Sequence, residues 1–226
     1  MAEIINKKAE KKYRAAKVFN DHAAEYESWF TDSLIYETEL SALQDLPLKM
    51  NKPKLEIGVG PGYFARDLGV TFGLDPAWKP LQFAAEKGIR CFLGFGEELP
   101  LQNRSVGAIY LLFTLCFAMD PDKIIRECRR SLIDGGYLIV GMVPAESHWG
   151  KYLSAKKTAG HTFYKEANFY TIKTVCTWLS DAGFNIVESR STLYQSPDQV
   201  EQREKPRADL DEAAGFVVIA ARKENG

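Results

Sequence analysis

The segment from Leu55 to Pro76, LEIGVGPGYFARDLGVTFGLDP, constrains the fold more than any other part of the chain. A short apolar run leads into three glycines spaced two residues apart, at Gly58, Gly60 and Gly62. Glycine adopts left-handed backbone conformations and lacks the side chain that would keep a ligand away from the backbone. We therefore predict a buried strand, a tight glycine loop able to approach a ligand, and a helix that begins after the loop.

Short apolar runs alternate with helical patterns from about Lys54 to Val143, and a less regular segment with two further strand patterns follows. The predicted strands lie at 55–59, 71–75, 89–94, 106–113, 137–143, 184–194 and 216–223. Strands that are apolar on both faces and interleaved with amphipathic helices form parallel sheets covered on both sides. The polar link at 195–213 has no helical pattern, so the last two strands should pair antiparallel. We predict an α/β fold: a doubly wound, mostly parallel seven-stranded sheet with an antiparallel last strand.

Local signals predict where two of the helices begin and end. Asp120 followed by Pro121 is typical of a helix start, with the carboxylate as N-cap and proline at the first helical position. The run Asp134-Gly135-Gly136 predicts the end of that helix, before the strand at 137–143. Thr171 is predicted to cap a later helix that ends at Gly183.

Composition excludes several classes of protein. The 226 residues carry a formal net charge of −1, which argues against a nucleic-acid partner. No apolar run approaches the ~20 residues of a membrane-spanning helix. The four cysteines are dispersed and the three histidines scattered, so no metal site is predicted. Because the first residues contain no apolar signal segment and the cysteines show no disulfide pattern, we expect a cytoplasmic protein.

The glycine spacing and one acidic residue indicate the ligand. Asp75 ends the second strand, next to the glycine loop in a parallel sheet, where its carboxylate can accept hydrogen bonds from both ribose hydroxyls of a nucleoside. A dinucleotide loop has the form G-x-G-x-x-G, whereas Tyr63 occupies the position of its third glycine. Glycines two apart favour S-adenosylmethionine as cofactor, with S-adenosylhomocysteine as product. A nicotinamide-dependent oxidoreductase and a non-catalytic S-adenosylmethionine-binding regulator or scaffold are the alternatives.

Residues 55–143 resemble the Rossmann-like class I S-adenosylmethionine-dependent methyltransferases, in particular the small-molecule branch that is similar to enzymes of ubiquinone and menaquinone biosynthesis (type 11). The matching motifs are LEIGVGPG (55–62), GLDP (73–76), GEELPLQNRSVGAIYLLFTL (96–115), SLIDGGYLIVGMV (131–143) and AGFNIVES (182–189). The resemblance implies that 51–226 form a cofactor-binding methyltransferase domain. It also implies methyl transfer to a small-molecule acceptor, such as an amine, a phenol or a quinone, by direct in-line displacement.

The resemblance implies roles for individual residues as well. The positions that match cofactor contacts of the family are Glu56, Gly58, Gly60, Gly62, Asp75, Pro76, Gly96, Glu97, Phe113 and Thr114. The first four would hold the methionine end, the next two the ribose and adenine, Gly96 and Glu97 the adenine edge, and the last two would face the methyl group. Phe95 stands where many relatives have an aspartate for adenine. Leu115 and Cys116 replace the family's histidine pair, so no general base is identified.

Two segments outside the motifs are expected to form the acceptor side. Residues 1–50 are predicted to fold as a helical cap over the site, and 144–171 as an insertion on the substrate side. The candidate acceptor-side residues are Tyr26, Trp29, His148, His161 and Tyr164. For each of them, packing in the core is the competing interpretation. The sequence leaves the acceptor and the oligomeric state open.

Overall fold

The computed structural model describes residues 13–224, and the first twelve residues of the predicted cap lie outside this range. Within it the strands are β1 (Lys54–Ile57), β2 (Phe72–Asp75), β3 (Arg90–Leu93), β4 (Val106–Leu112), β5 (Leu132–Met142), β6 (Phe184–Thr192) and β7 (Phe216–Lys223). They form one sheet in the order β3-β2-β1-β4-β5-β7-β6. β7 runs antiparallel to β5 and β6, and the other neighbouring pairs are parallel. The predicted doubly wound, mostly parallel sheet is confirmed.

Helices cover the sheet and precede it. They are α1 (13–21), α2 (Ala23–Ser28), α3 (Leu34–Gln44), α4 (Tyr63–Asp67), α5 (Trp78–Glu86), α6 (Pro121–Ser131), α7 (His148–Thr158) and α8 (Ile172–Asp181). The carboxylate of Asp120 accepts a hydrogen bond from the Lys123 amide at 2.9 Å, and the Thr171 hydroxyl accepts one from the Thr174 amide at 3.1 Å. Both predicted helix starts are confirmed. Across residues 13–224, no helix combines the length and the apolar character that crossing a bilayer requires.

The core lies on both faces of the sheet. In β1 the side chains of Leu55 and Ile57 pack in the layer that α6 and α8 cover. The opposite layer contains Phe64 and Leu81, from α4 and α5, together with residues of α3. Each such buried side chain stabilises the fold by roughly 1.5–3 kcal/mol. The two layers hold the carboxyl ends of β1, β2 and β4 side by side.

The predicted helix end at Asp134-Gly135-Gly136 was wrong. α6 ends at Ser131, and these three residues lie within β5. Val106 of β4 pairs with Leu132, and the regular register resumes only between Ala108 and Tyr137, so 133–136 form an irregularity in the strand. Because Leu132 already pairs with β4, β5 begins before the Asp134-Gly135-Gly136 turn signal instead of after it.

The polar link between β6 and β7 is anchored by hydrogen bonds. The Glu204 carboxylate accepts from the amides of Tyr194 and Gln195, at 2.8 and 2.9 Å. The Trp149 indole of α7 donates to the Gln195 carbonyl at 2.8 Å. These bonds hold the link against α7, and Pro197 thereby joins the wall of the cavity described next.

Candidate active site

A cavity of about 410 Å³ lies at the carboxyl ends of β1, β2 and β4. This edge is where open α/β sheets bind ligands, and the volume falls within the roughly 300–1,000 Å³ of small-molecule pockets. The glycine loop and the ends of β2 and β4 form one side. The helices α1, α2 and α3 and the segment that follows β5 form the rest.

The three loop glycines have left-handed backbone conformations, and at each of them a side chain would also collide with a different neighbour. Their φ angles are +73°, +50° and +81° at Gly58, Gly60 and Gly62. A Cβ on Gly58 would lie 2.5 Å from the Thr114 hydroxyl, one on Gly60 2.9 Å from the Tyr26 ring, and one on Gly62 2.8 Å from a side chain of α5. Gly58 and Gly60 line the cavity, whereas Gly62 caps α4 outside the cavity wall.

Asp75 links the glycine loop to the turn that follows β2, and it lines the cavity. Its carboxylate accepts hydrogen bonds from the amides of Gly60, at 2.9 Å, and Ala77, at 2.7 Å. Burial raises the pKa of Asp75 to about 6, although the two amides counteract this effect. Each oxygen uses one of its acceptor positions in these bonds and retains another. Asp75 therefore orders the loop and can still accept from a ligand hydroxyl.

Glu56 is buried in β1 but does not line the cavity. Its Oε2 has no hydrogen-bond partner within the part of the chain that the structure describes. Burial, reinforced by the nearby charge of Asp75, holds the pKa of Glu56 well above its ordinary value. The structure thus places this carboxyl outside the cavity wall and couples it electrostatically to Asp75.

The remaining predicted cofactor residues all line the cavity: Pro76, Gly96, Glu97, Phe113 and Thr114. The Thr114 hydroxyl donates to the Ile57 carbonyl at 2.7 Å, which ties the end of β4 to the end of β1. The Glu97 carboxylate accepts from the Met119 amide at 3.1 Å. Phe95, which replaces the family's aspartate, also lines the cavity and meets the Tyr13 ring edge-on at 5.3 Å.

Three of the five predicted acceptor-side residues line the cavity, namely Tyr26, Trp29 and Tyr164. The Tyr26 and Trp29 rings meet edge-on at 5.4 Å, and the Trp29 and Tyr164 rings are nearly parallel at 6.1 Å. Burial is the main cause that raises the pKa values of both tyrosines above the ordinary phenol value. Both phenols therefore stay protonated near neutral pH, where they can donate hydrogen bonds but do not act as bases.

The two histidine candidates do not line the cavity. His148 is exposed at the start of α7. His161 packs its ring 4.9 Å from the ring of Tyr164, and its Nδ1 accepts from the Phe163 amide at 3.3 Å. The structure places His161 behind the aromatic wall and His148 on the surface.

Phe163 and Glu39 are among the residues of this wall that were not selected as candidates from the sequence. Phe163 is almost fully buried and contacts the rings of Phe19 and Trp29, at 5.4 and 4.7 Å. Glu39 on α3 is only 9% exposed and lines the cavity. Glu39 could have been identified from the sequence, because it is a charged residue at helical spacing from Tyr36 and Leu43, on the buried stripe of α3.

Comparisons with known proteins identify the family. The sequence model that describes the methyltransferase domain family matches residues 55–140. A solved Thermotoga maritima structure, described as an SAM-dependent methyltransferase and possible histamine N-methyltransferase, is 32% identical. The match covers 93% of this chain and 100% of that chain, with a TM-score of 0.85. This chain belongs to the class I S-adenosylmethionine-dependent methyltransferases.

Two uncharacterized proteins are also similar to this methyltransferase. An uncharacterized protein of Mycobacterium tuberculosis is 40% identical over 203 residues, which span 88% of this chain and 71% of the relative. An uncharacterized protein of Methanocaldococcus jannaschii is 34% identical over 210 residues, which span 91% of this chain and 98% of the relative. The predicted resemblance to class I methyltransferases is confirmed.

The residues present at the site fit S-adenosylmethionine, the cofactor of this methyltransferase. At Gly58 and Gly60 a side chain would collide with its surroundings, so the bare backbone faces the cavity. Asp75 retains acceptor capacity for ribose hydroxyls. The site agrees with the predicted cofactor, and the family match, not the geometry, decides between it and the nicotinamide alternative.

Proposed function

We propose that this methyltransferase transfers a methyl group to a small-molecule acceptor by direct in-line displacement. The observation that carries the proposal is that the glycine loop and the aromatic acceptor-side residues share one cavity of about 410 Å³. Helices α1, α2 and α3 close part of that cavity. In this proposal the small acceptor occupies the part of the cavity beside the cofactor.

In this proposal the cofactor-side residues bind and orient the cofactor. The bare backbone of Gly58 and Gly60, whose amides already donate to the Leu74 carbonyl and to Asp75, lets the methionine end approach closely. Asp75 accepts from the ribose hydroxyls. Pro76, Gly96 and Glu97 border the adenine, while Phe113 and Thr114 lie beneath the methyl group. When bound, S-adenosylmethionine supplies an electrophilic methyl group on a cationic sulfur. Alignment of the acceptor with that group supplies much of the rate acceleration.

The acceptor side is assigned to the two segments outside the cofactor motifs. Residues 1–50 form the proposed cap, 51–226 the methyltransferase domain, and 144–171 the substrate-side insertion. Tyr26 and Trp29 of the cap and Tyr164 of the insertion exclude water around the acceptor, because all three line the cavity. Aromatic faces also attract cations such as the sulfonium.

Two relatives support an acceptor of low molecular mass. The Thermotoga maritima structure is described as a possible histamine N-methyltransferase. A demethylmenaquinone methyltransferase of the same organism is 33% identical over 106 residues, which span 42% of this chain and 46% of that enzyme. Both names describe the methylation of small molecules, although the two acceptors differ in chemistry.

Isotope tracing tests the proposal. The protein is incubated with methyl-labelled S-adenosylmethionine and a cell extract divided into low-molecular-mass and macromolecular fractions, and the products are analysed by mass spectrometry. We expect label in a compound of the low-mass fraction, and its loss in the Asp75→Ala variant. Label confined to protein or RNA would contradict the small-molecule proposal. Cofactor binding without transfer to either fraction would instead support a scaffold.

A further inference from the structure

Glu39 is a buried carboxyl that faces the cavity and is not used by the cofactor site. It lies on the inner face of α3 and is 9% exposed. Among residues 13–224, no donor or cation forms a hydrogen bond or ion pair with its carboxyl group. Ionising an unpartnered carboxyl in such a position is costly, so a cationic ligand would provide the missing partner and favour the charged form.

The cation that lines the same cavity does not provide that partner. Lys156 on α7 places its ammonium group over the Tyr152 ring, 4.6 Å from the ring centre. No ion pair joins Lys156 to Glu39 within the described residues. Burial alone raises the pKa of Glu39 to about 8, without a contribution from any neighbouring charge. Among residues 13–224, Glu39 therefore lines the cavity without a cationic partner.

Glu39 lies apart from the cofactor-side acids. After burial, the charge of Asp75 is the next cause that raises the pKa of Tyr26, and Tyr164 adds to it. For Tyr164, burial again comes first, with Cys116 and then Glu39 as additional causes. Asp75 lines the cavity from the end of β2, whereas Glu39 lines it from α3. Glu39 therefore lies in the proposed cap, together with Tyr26 and Trp29, the segment to which the acceptor side is assigned.

We propose that Glu39 binds the amino group of the methyl acceptor, and that the acceptor is a small amine with an apolar or aromatic body. This inference rests on the proposed function. The carboxylate forms a charge-assisted hydrogen bond to the ammonium group. The Trp29 and Tyr164 rings in the same cavity pack against the apolar body and attract the cation.

The carboxylate also prepares the amine for methylation. An ammonium nitrogen has no free electron pair, so it must lose a proton before it can act as a nucleophile. One N–H bond breaks, its electron pair remains on the nitrogen, and the proton forms an O–H bond with Glu39. The total charge of the pair is unchanged. Glu39 later returns this proton to water.

A matched pair of ligands tests the inference without relying on activity. Phenethylamine and its neutral isostere 2-phenylethanol are titrated by calorimetry into protein saturated with S-adenosylhomocysteine. We expect phenethylamine to bind more tightly than 2-phenylethanol. Glu39→Gln should weaken phenethylamine binding about 10- to 100-fold and leave 2-phenylethanol binding unchanged, because only the charged hydrogen bond is lost.

Two controls separate this inference from the proposed function. The Glu37→Gln variant removes an exposed carboxylate of the same helix and should not weaken phenethylamine binding. The affinity of Glu39→Gln for S-adenosylhomocysteine should equal that of the wild type, which shows that the fold and the cofactor site are intact.

Three results would overturn the inference: equal phenethylamine affinity in Glu39→Gln and wild type, tighter binding of the alcohol, or no binding of phenethylamine, tryptamine or cyclohexylmethylamine. Transfer of label to a phenol or a thiol that is insensitive to Glu39→Gln would also overturn it, while the proposed small-molecule function would stand.

Discussion

Replacing Glu39 by glutamine should remove a pH-dependent cost of folding. Burial raises the pKa of Glu39 from the ordinary 4.5 to about 8. One pKa unit corresponds to about 1.36 kcal/mol, so ionising this carboxyl in the folded protein costs about 5 kcal/mol. Glutamine has nearly the same shape and no charge to desolvate.

The direction of the effect follows from proton binding. Because the folded state holds the Glu39 proton more tightly, this group does not penalise folding below about pH 4.5. As the pH rises, the unfolded chain loses the proton first, and the wild type loses stability until the folded carboxyl also ionises near pH 8. By linkage, the free energy of unfolding of Glu39→Gln should rise by about 3–4 kcal/mol relative to that of the wild type between about pH 5 and pH 8.

Urea unfolding of the ligand-free protein at several pH values measures this difference. Asp75 and Glu56 also titrate abnormally, but they are present in both proteins and their contributions cancel. The control is Glu37→Gln, which changes an exposed carboxylate lying 3.7 Å from the Arg203 guanidinium. A constant stability difference between Glu39→Gln and wild type across the pH range would refute the conclusion that burial without a partner perturbs this carboxyl.

Three further predictions test the cofactor side. Asp75→Ala should weaken S-adenosylhomocysteine binding by about 100-fold in calorimetry, because hydrogen bonds to a charged carboxylate are lost; undiminished affinity would contradict its ribose role. Gly60→Ala and Gly69→Ala both place alanine at positive φ, but only the former collides with Tyr26. Urea unfolding should therefore show about 1–2 kcal/mol lost in Gly69→Ala and clearly more in Gly60→Ala, and equal losses would refute the clash. Thr114→Val should lower the free energy of unfolding by about 1–3 kcal/mol, because it removes the hydrogen bond to a β1 carbonyl. Thr114→Ser keeps the hydroxyl and should retain most of the stability. Similar losses in the two variants would show that the hydroxyl does not stabilise the fold.

The cofactor side could be predicted from sequence because its chemistry depends on short-range spacing. Gly58 and Gly60 are close in the chain, and a parallel β2 necessarily brings Asp75 to the same edge. The position of β7 between β5 and β6 was not predicted, since strand order depends on long-range pairing. The same limitation explains the wrong end of α6, where pairing with β4 determines the start of β5.

The acceptor side was harder to predict because its residues are brought together by docking of separate elements. Tyr26 and Trp29 were identified as aromatic residues in a helical segment, and Tyr164 as part of an unusual insertion. Residue type alone did not distinguish these three aromatic residues from His148, which the structure shows to be exposed. Glu39 was missed because its significance depends on what α3 packs against: only the folded structure shows a carboxyl without a partner.

A crystal structure of the protein with S-adenosylhomocysteine and phenethylamine tests the central claim most directly. The account predicts S-adenosylhomocysteine against Gly58 and Gly60, with its ribose hydroxyls bonded to Asp75. It also predicts the amine nitrogen within hydrogen-bond distance of the Glu39 carboxylate, in the same cavity. An S-adenosylhomocysteine molecule bound away from Asp75, or an amine bound with its nitrogen away from Glu39, would contradict it.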